Sequence, residues 1–122
     1  MALQVQADLA DVGVTVTLRE YQDRSQYLRH LRLAHRPGGA ELFLLGWGAS
    51  RPDAGLFLAS LGCDAAANLT NYCDRRFDRR LARARAVVER RERTRRYAVL
   101  AGMLTGVDGA HPVAAFLNYY AA

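Results

Sequence analysis

Val14-Thr15-Val16-Thr17-Leu18 and Leu42-Phe43-Leu44-Leu45, with the segment from Asp23 to Gly39 between them, decide the fold. The first run alternates strictly, so Val14, Val16 and Leu18 point to one side, the pattern of a half-buried strand. The second is a short continuous apolar run, the pattern of a strand covered on both faces. Between the two, Asp23 is placed to cap a helix, with Gln26 three residues later in capping-box position. Tyr27, Leu31 and Ala34 then recur at helical spacing, and Pro37-Gly38-Gly39 ends the run. Strand, helix and strand in this order predict a βαβ unit with parallel strands and a right-handed crossover. The expected fold class is therefore α/β, a parallel or mixed sheet flanked by helices.

Upstream, Leu3 to Asp11 reads as a short helix with Val5, Leu9 and Val12 on one face and Gly13 where a left-handed C′ residue belongs. Downstream, Pro52 suits the first turn of another helix running to about Leu61, closed by Gly62. A loop from Gly62 to Cys73 carries Asn68, Asn71 and Tyr72. Two helices follow. Phe77, Leu81, Ala84 and Val88 form the apolar stripe of the first; Tyr97, Leu100, Ala101 and Leu104 form that of the second, which Gly106 and Gly109 break. Val113 to Leu117 reads as a last strand.

With 122 residues, the chain is expected to be one domain. No run approaches the length and apolarity of a membrane span, and the N-terminus lacks the basic and apolar regions of a secretory signal. The net charge is +5, and all seventeen basic residues are Arg. Eleven of the seventeen lie between Arg75 and Arg96. Cys63 and Cys73 suit a loop-closing disulfide in an oxidising compartment better than a metal site, with two separate thiols as the alternative.

Ligands of open parallel sheets bind beyond the carboxyl ends of the strands, where loops converge. The segment that follows Leu45 is Gly46-Trp47-Gly48-Ala49-Ser50-Arg51-Pro52-Asp53. Its glycines allow close backbone approach, Trp47 offers a large flat surface with one donor, and a helix start near Pro52 turns unpaired N–H groups to the same place. The alternative is a Gly-rich turn whose Trp fills the core.

Taken together, these pieces resemble the C-terminal part of the family 5 extracellular solute-binding proteins, the oligopeptide, dipeptide and nickel receptors of ABC importers. Gln6-Ala7-Asp8-Leu9 through Gly13-Val14 is similar to the family's helix-to-strand entry. Gly46-Trp47 with Pro52-Asp53 and Phe57 is similar to its Gly-Trp loop. Asn71-Tyr72-Cys73 with Phe77-Asp78, Arg93 with Tyr97, and Asp108 with Pro112-Val113 follow in the family's order.

The resemblance implies one partial lobe, residues 1–122, of a type II periplasmic-binding protein whose two lobes close over a ligand. It implies a small solute or short peptide as ligand, an ABC permease as partner of the full-length protein, and a periplasmic or extracytoplasmic location. It also implies that an N-terminal portion and an opposing lobe are missing here, which predicts exposed apolar surface and self-association. Gly46, Trp47 and Ser50 would line the cleft, joined by Asp53 and Asn71. Some dipeptide-binding relatives carry a disulfide in the region of Cys63 and Cys73. Where peptide-binding members often have Asp three residues after the Trp, this chain has Ser50, whose hydroxyl brings no charge to offset a ligand ammonium. Modified peptides and related solutes thereby join the expected ligands.

No cofactor, metal site or catalytic residue is expected. An Arg-rich nucleic-acid-binding domain is the main alternative, since clustered Arg supplies phosphate affinity. However, Arg75, Arg76, Arg79, Arg80 and Arg83 flank an apolar stripe, and Phe77 and Tyr97 lie on core stripes rather than facing bases. Ser50 after a buried strand resembles a nucleophile elbow, but Pro52 replaces its second Gly, and His30, His35 and His111 lack an orienting partner. His30 and His35 are about 140° apart around a helix, which separates them as metal ligands. Asn68-Leu69-Thr70 is formally a glycosylation sequon.

Overall fold

The computed structural model describes residues 1–33, 41–46 and 53–106. The expectations for Ala34, His35, Pro37-Gly38-Gly39, Trp47, Ser50, Pro52, Gly109, His111 and Val113 to Leu117 lie outside the described residues. The chain divides into two compact units, 1–46 and 47–122.

In the first unit, helix α1 spans Ala2–Asp11. It ends as the sequence requires: Gly13 adopts φ +84°, its N–H reaches the Ala10 carbonyl at 2.9 Å, and the Val14 N–H reaches the Leu9 carbonyl at 2.9 Å. This paired closure satisfies two carbonyls that the helix leaves open, and the backbone angle it needs is one that glycine adopts without strain. Helix α2 spans Arg24–Arg32, capped by Asp23, whose carboxylate accepts the Ser25 N–H at 2.6 Å. Arg29, His30 and Arg32 fall in its last turn, where cations complement the helix dipole.

The two segments expected as strands are not strands. Among the described residues there is no β-ladder, and the α/β expectation is overturned: 14–18 and 42–45 are irregular, and every described element is a helix. The reason is visible in the hydrogen bonds. An alternating pattern tells which side a residue faces, but a strand exists only when its N–H and C=O groups pair with a neighbour. Here the Val16 carbonyl is taken by the Gln6 side-chain amide at 2.7 Å and the Leu44 carbonyl by the Tyr27 hydroxyl at 2.7 Å. Each segment is tied to a helix rather than to the other segment. The apolar side chains show the consequence: α1 buries no residue, and Val14, Leu18, Leu42 and Leu44 are all exposed.

The second unit holds the principal core. Helices α3 (Ala54–Ala59), α4 (Arg75–Arg85) and α5 (Arg90–Thr105) all pack against one another. Leu58, Leu61, Phe77, Leu81, Ala84, Tyr97, Leu100 and Leu104 form one buried cluster. The spacing of Phe77, Leu81 and Ala84 puts them on one face of α4, and that of Tyr97, Leu100 and Leu104 does the same for α5. Phe77 is fully buried and meets Tyr72 edge to face at 5.5 Å. Val88 does not extend the α4 stripe as expected. The helix stops at Arg85, and Val88 is 91% exposed in the connection to α5.

Each described helix of this unit starts on a carboxylate. Asp53 accepts from Gly55 N–H, Asp74 from Arg76 N–H, and Glu89 from both Arg91 and Glu92 N–H groups. Such caps satisfy donors that the first turn cannot pair internally. Gly106, at φ +76°, closes α5. Arg93 donates to the Val87 and Val88 carbonyls at 2.8 and 3.1 Å, fastening the turn between α4 and α5.

Candidate functional site

The connection from α3 to α4 is the most constrained loop of the described chain. Cys63 and Cys73 form a disulfide with their Cα atoms 4.4 Å apart. Inside the ring it closes, Asn68 acts as a tie. Its amide donates to the Gly62 carbonyl at 3.0 Å and the Tyr72 carbonyl at 2.8 Å, with a longer contact to the Leu61 carbonyl at 3.4 Å. Its side-chain oxygen accepts the Thr70 N–H at 3.0 Å and the Thr70 hydroxyl at 2.8 Å. Thr70 Oγ1 in turn accepts the Tyr72 N–H. The short Asn and Thr side chains thus stand in for the missing backbone partners of the loop.

The same loop is fixed to α4. Asp78 accepts the Cys63 N–H at 3.2 Å, and Arg75 forks onto Asp64 at 2.7 and 3.2 Å. The Arg75 guanidinium, through hydrogen bond and charge, holds the Asp64 carboxyl below the ordinary carboxylate range. Asn71 stands on this framework, exposed and at φ +56°, a left-handed angle that asparagine tolerates better than most residues. It precedes the Asp74 cap of α4 by three residues.

Asp53 lies at the start of α3, where its Oδ1 accepts the Gly55 N–H at 2.7 Å. The Tyr97 hydroxyl, from α5, comes near the same carboxylate across Gly55. Burial, followed by the Asp53 charge, pushes the Tyr97 hydroxyl above its ordinary value. Gly55 makes the approach possible: a Cβ there would collide with the Tyr97 hydroxyl and lie 2.7 Å from its Cζ. The Asp53 carboxylate is therefore engaged within its own unit.

Of the other expected ligand residues, Gly46 is exposed at the end of the first unit, with open space where a Cβ would stand. Trp47 and Ser50 lie outside the described residues. Cys63 and Cys73 are brought together; no hydrogen bond joins Asp53 to Asn71 among the described residues. No group of three metal-ligating side chains occurs among them either, and His30 lies against the Tyr21 ring at 5.3 Å. No described helix is long and apolar enough to cross a membrane.

On the Arg-rich surface, Arg76 pairs with Asp74, and Arg96 with Glu92, on exposed faces. Phe77 and Tyr97 are buried, so neither offers a ring face to a base. Two residues carry more of the local structure than their sequence reading implied, Asn68 and Tyr97. Asn68 was legible as half of an Asn-x-Thr turn signal, whereas the approach of Tyr97 to Gly55 spans two helices and left no local sign beyond a glycine inside a helix.

No family model matches the chain, and no solved structure matches it. Three curated proteins of Pseudomonas aeruginosa do. Di/tripeptide-binding protein 4 of strain UCBPP-PA14 is 33% identical over 100 residues, which is 79% of this chain and 18% of the relative. Di/tripeptide-binding protein 3 of that strain and the dipeptide-binding protein of strain PAO1 are each 29% identical over 100 residues, 80% of this chain and 18% of the relative. Over those 100 residues the chain is similar to di- and tripeptide-binding proteins, and it spans 18% of their length.

Proposed function

We propose that this chain is a portion of a family 5 solute-binding protein that captures peptide-like solutes for an ABC transporter and performs no catalysis. The observation that carries the reading is the 33% identity over 100 residues to a di/tripeptide-binding protein. The Cys63–Cys73 disulfide supports an oxidising, extracytoplasmic home. Exposed Val14, Leu18, Leu42 and Leu44 support a first unit whose apolar surface is covered by other parts of the whole protein.

In this reading Gly46, Trp47 and Ser50 line the cleft, and Asp53 and Asn71, the latter on the disulfide-braced loop, are the further ligand candidates. Ser50 lacks the charge that would pair with a peptide ammonium, so the preferred solute carries a blocked or differently placed amine. The test is a graft. The 100 matching residues of Di/tripeptide-binding protein 4 are replaced by those of this chain, and trialanine and N-acetyl-trialanine are titrated by calorimetry. Saturable binding that Trp47→Ala abolishes is the expected result. A folded graft that binds neither peptide overturns the reading.

A further inference from the structure

The turn that joins α4 to α5 carries two features that do nothing for the fold. Val88 stands in it with 91% of its surface exposed, so an apolar side chain is held in water where burial would favour it. Arg90 and Arg91 occupy the first turn of α5, where the positive end of the helix dipole repels a cation. The turn itself is firmly held. Glu89 accepts the Arg91 and Glu92 N–H groups at 2.7 and 2.6 Å, and the Arg93 guanidinium donates to the Val87 and Val88 carbonyls.

Helices α4 and α5 pack against each other across this short connection, so the last turn of α4 lies beside the first turn of α5. Arg83 and Arg85 of that last turn therefore join Arg90 and Arg91 at the end that Val88 occupies. All four are exposed, and among the described residues none of them takes part in an ion pair. Within residues 83–91 the one carboxylate is Glu89, and the backbone of α5 engages both its oxygens. The next, Glu92, faces Arg95 and Arg96. The tip is an apolar point among uncompensated positive charges.

We infer that the α4–α5 tip docks on an anionic phospholipid surface, with the four guanidinium groups at the phosphates and Val88 at the boundary of the acyl chains. A bilayer interface suits both features at once: negative headgroups attract the arginines, and the apolar layer beneath them takes the valine. A nucleic-acid backbone offers phosphates but no place for Val88, and Phe77 and Tyr97 are buried away from any base. The inference goes beyond the solute-binding reading and stands without it.

The experiment is cosedimentation of the disulfide-bonded 122-residue chain with sucrose-loaded vesicles. One set is phosphatidylcholine alone; the other holds an equal share of phosphatidylglycerol. Binding to the anionic set alone is expected, and it should weaken as salt rises from about 0.1 to about 0.5 M. An arginine near such a surface contributes about fivefold to partitioning. Arg90→Gln/Arg91→Gln should therefore weaken binding about 25-fold, while Arg90→Lys/Arg91→Lys keeps it. Val88→Ser should weaken it about threefold or more. Arg79→Gln/Arg80→Gln removes the same charge elsewhere on α4, where Arg80 reaches Met103 near the far end of α5, and should cost less than about fivefold. Every substituted side chain is exposed, and far-UV circular dichroism checks that each variant keeps its helices.

No binding to either vesicle set, equal binding to both, or an equal loss in the tip and control pairs overturns the inference. Unchanged binding in Val88→Ser does so too. A random DNA duplex or polyglutamate that binds more tightly than the anionic vesicles, with no effect of Val88→Ser, assigns the arginines to a nucleic acid or to an acidic polypeptide instead.

Discussion

Removing the Cys63–Cys73 bridge has a calculable cost. The sequence separation is 10 residues, and closing a loop of that length removes about 2.7 kcal/mol of chain entropy from the unfolded state at room temperature. Folded domains have a stability of about 0.05–0.15 kcal/mol per residue, so the bridge represents a large fraction of what the α3–α5 unit has. With a urea slope of about 1 kcal/mol per molar for a small unit, the midpoint should fall by roughly 2–3 M in Cys63→Ala/Cys73→Ala or under reductant. Urea titrations followed by far-UV circular dichroism, with and without dithiothreitol, measure it. A shift below about 0.5 M with an unchanged slope would refute the reasoning. It would mean that the Asn68 ties already hold the loop when the sulfurs are apart.

Four other outcomes follow from the same geometry. Asn68→Ala removes the donors to the Gly62 and Tyr72 carbonyls and should cost about 2 kcal/mol in thermal unfolding, more than a surface substitution would. Gly55→Ala, normally favourable inside a helix, should instead destabilise by about 1–3 kcal/mol because Tyr97 occupies the space; a rise in melting temperature would contradict this. Val88→Ser should leave stability within about 0.5 kcal/mol, whereas Leu81→Ala should cost about 2–5 kcal/mol, as burial dictates.

Beside Asp64, held low by Arg75, Asp74 and Glu89 contribute to the acid response. The Arg76 side chain lowers Asp74, and the Arg91 and Glu92 N–H groups lower Glu89. A depressed folded value contributes stability above the ordinary carboxylate range and loses it as pH falls through and below about 4. Melting temperature should therefore drop between pH 5 and pH 3, and Asp74→Asn with Glu89→Gln should flatten that dependence.

What was legible beforehand has a common physical origin. Phe77, Leu81 and Ala84, and Tyr97, Leu100 and Leu104, were readable as helix faces because their spacing is itself the cause of the burial. Asp23 and Gly13 were readable because a cap and a left-handed turn are local. Val14–Leu18 was misread because alternation carries no information about a pairing partner, and Gln6 and Tyr27 take the Val16 and Leu44 carbonyls instead. Val88 was misread because helical spacing was continued past the end of α4 at Arg85.

The candidate site divides along the same line. Cys63 and Cys73 are ten positions apart, so their loop could be seen in the chain itself. The close approach of Tyr97 to Gly55 depends on how α3 meets α5, which no nearby residue announces beyond the small side of Gly55.

One measurement bears most directly on the claim that this chain supplies part of a peptide-binding cleft. The isolated chain and its graft into Di/tripeptide-binding protein 4 are titrated side by side with N-acetyl-trialanine by calorimetry. The account predicts saturable heat from the graft and none from the isolated chain. A folded, disulfide-bonded graft that gives no heat, or an isolated chain that binds as tightly as the graft, would contradict it.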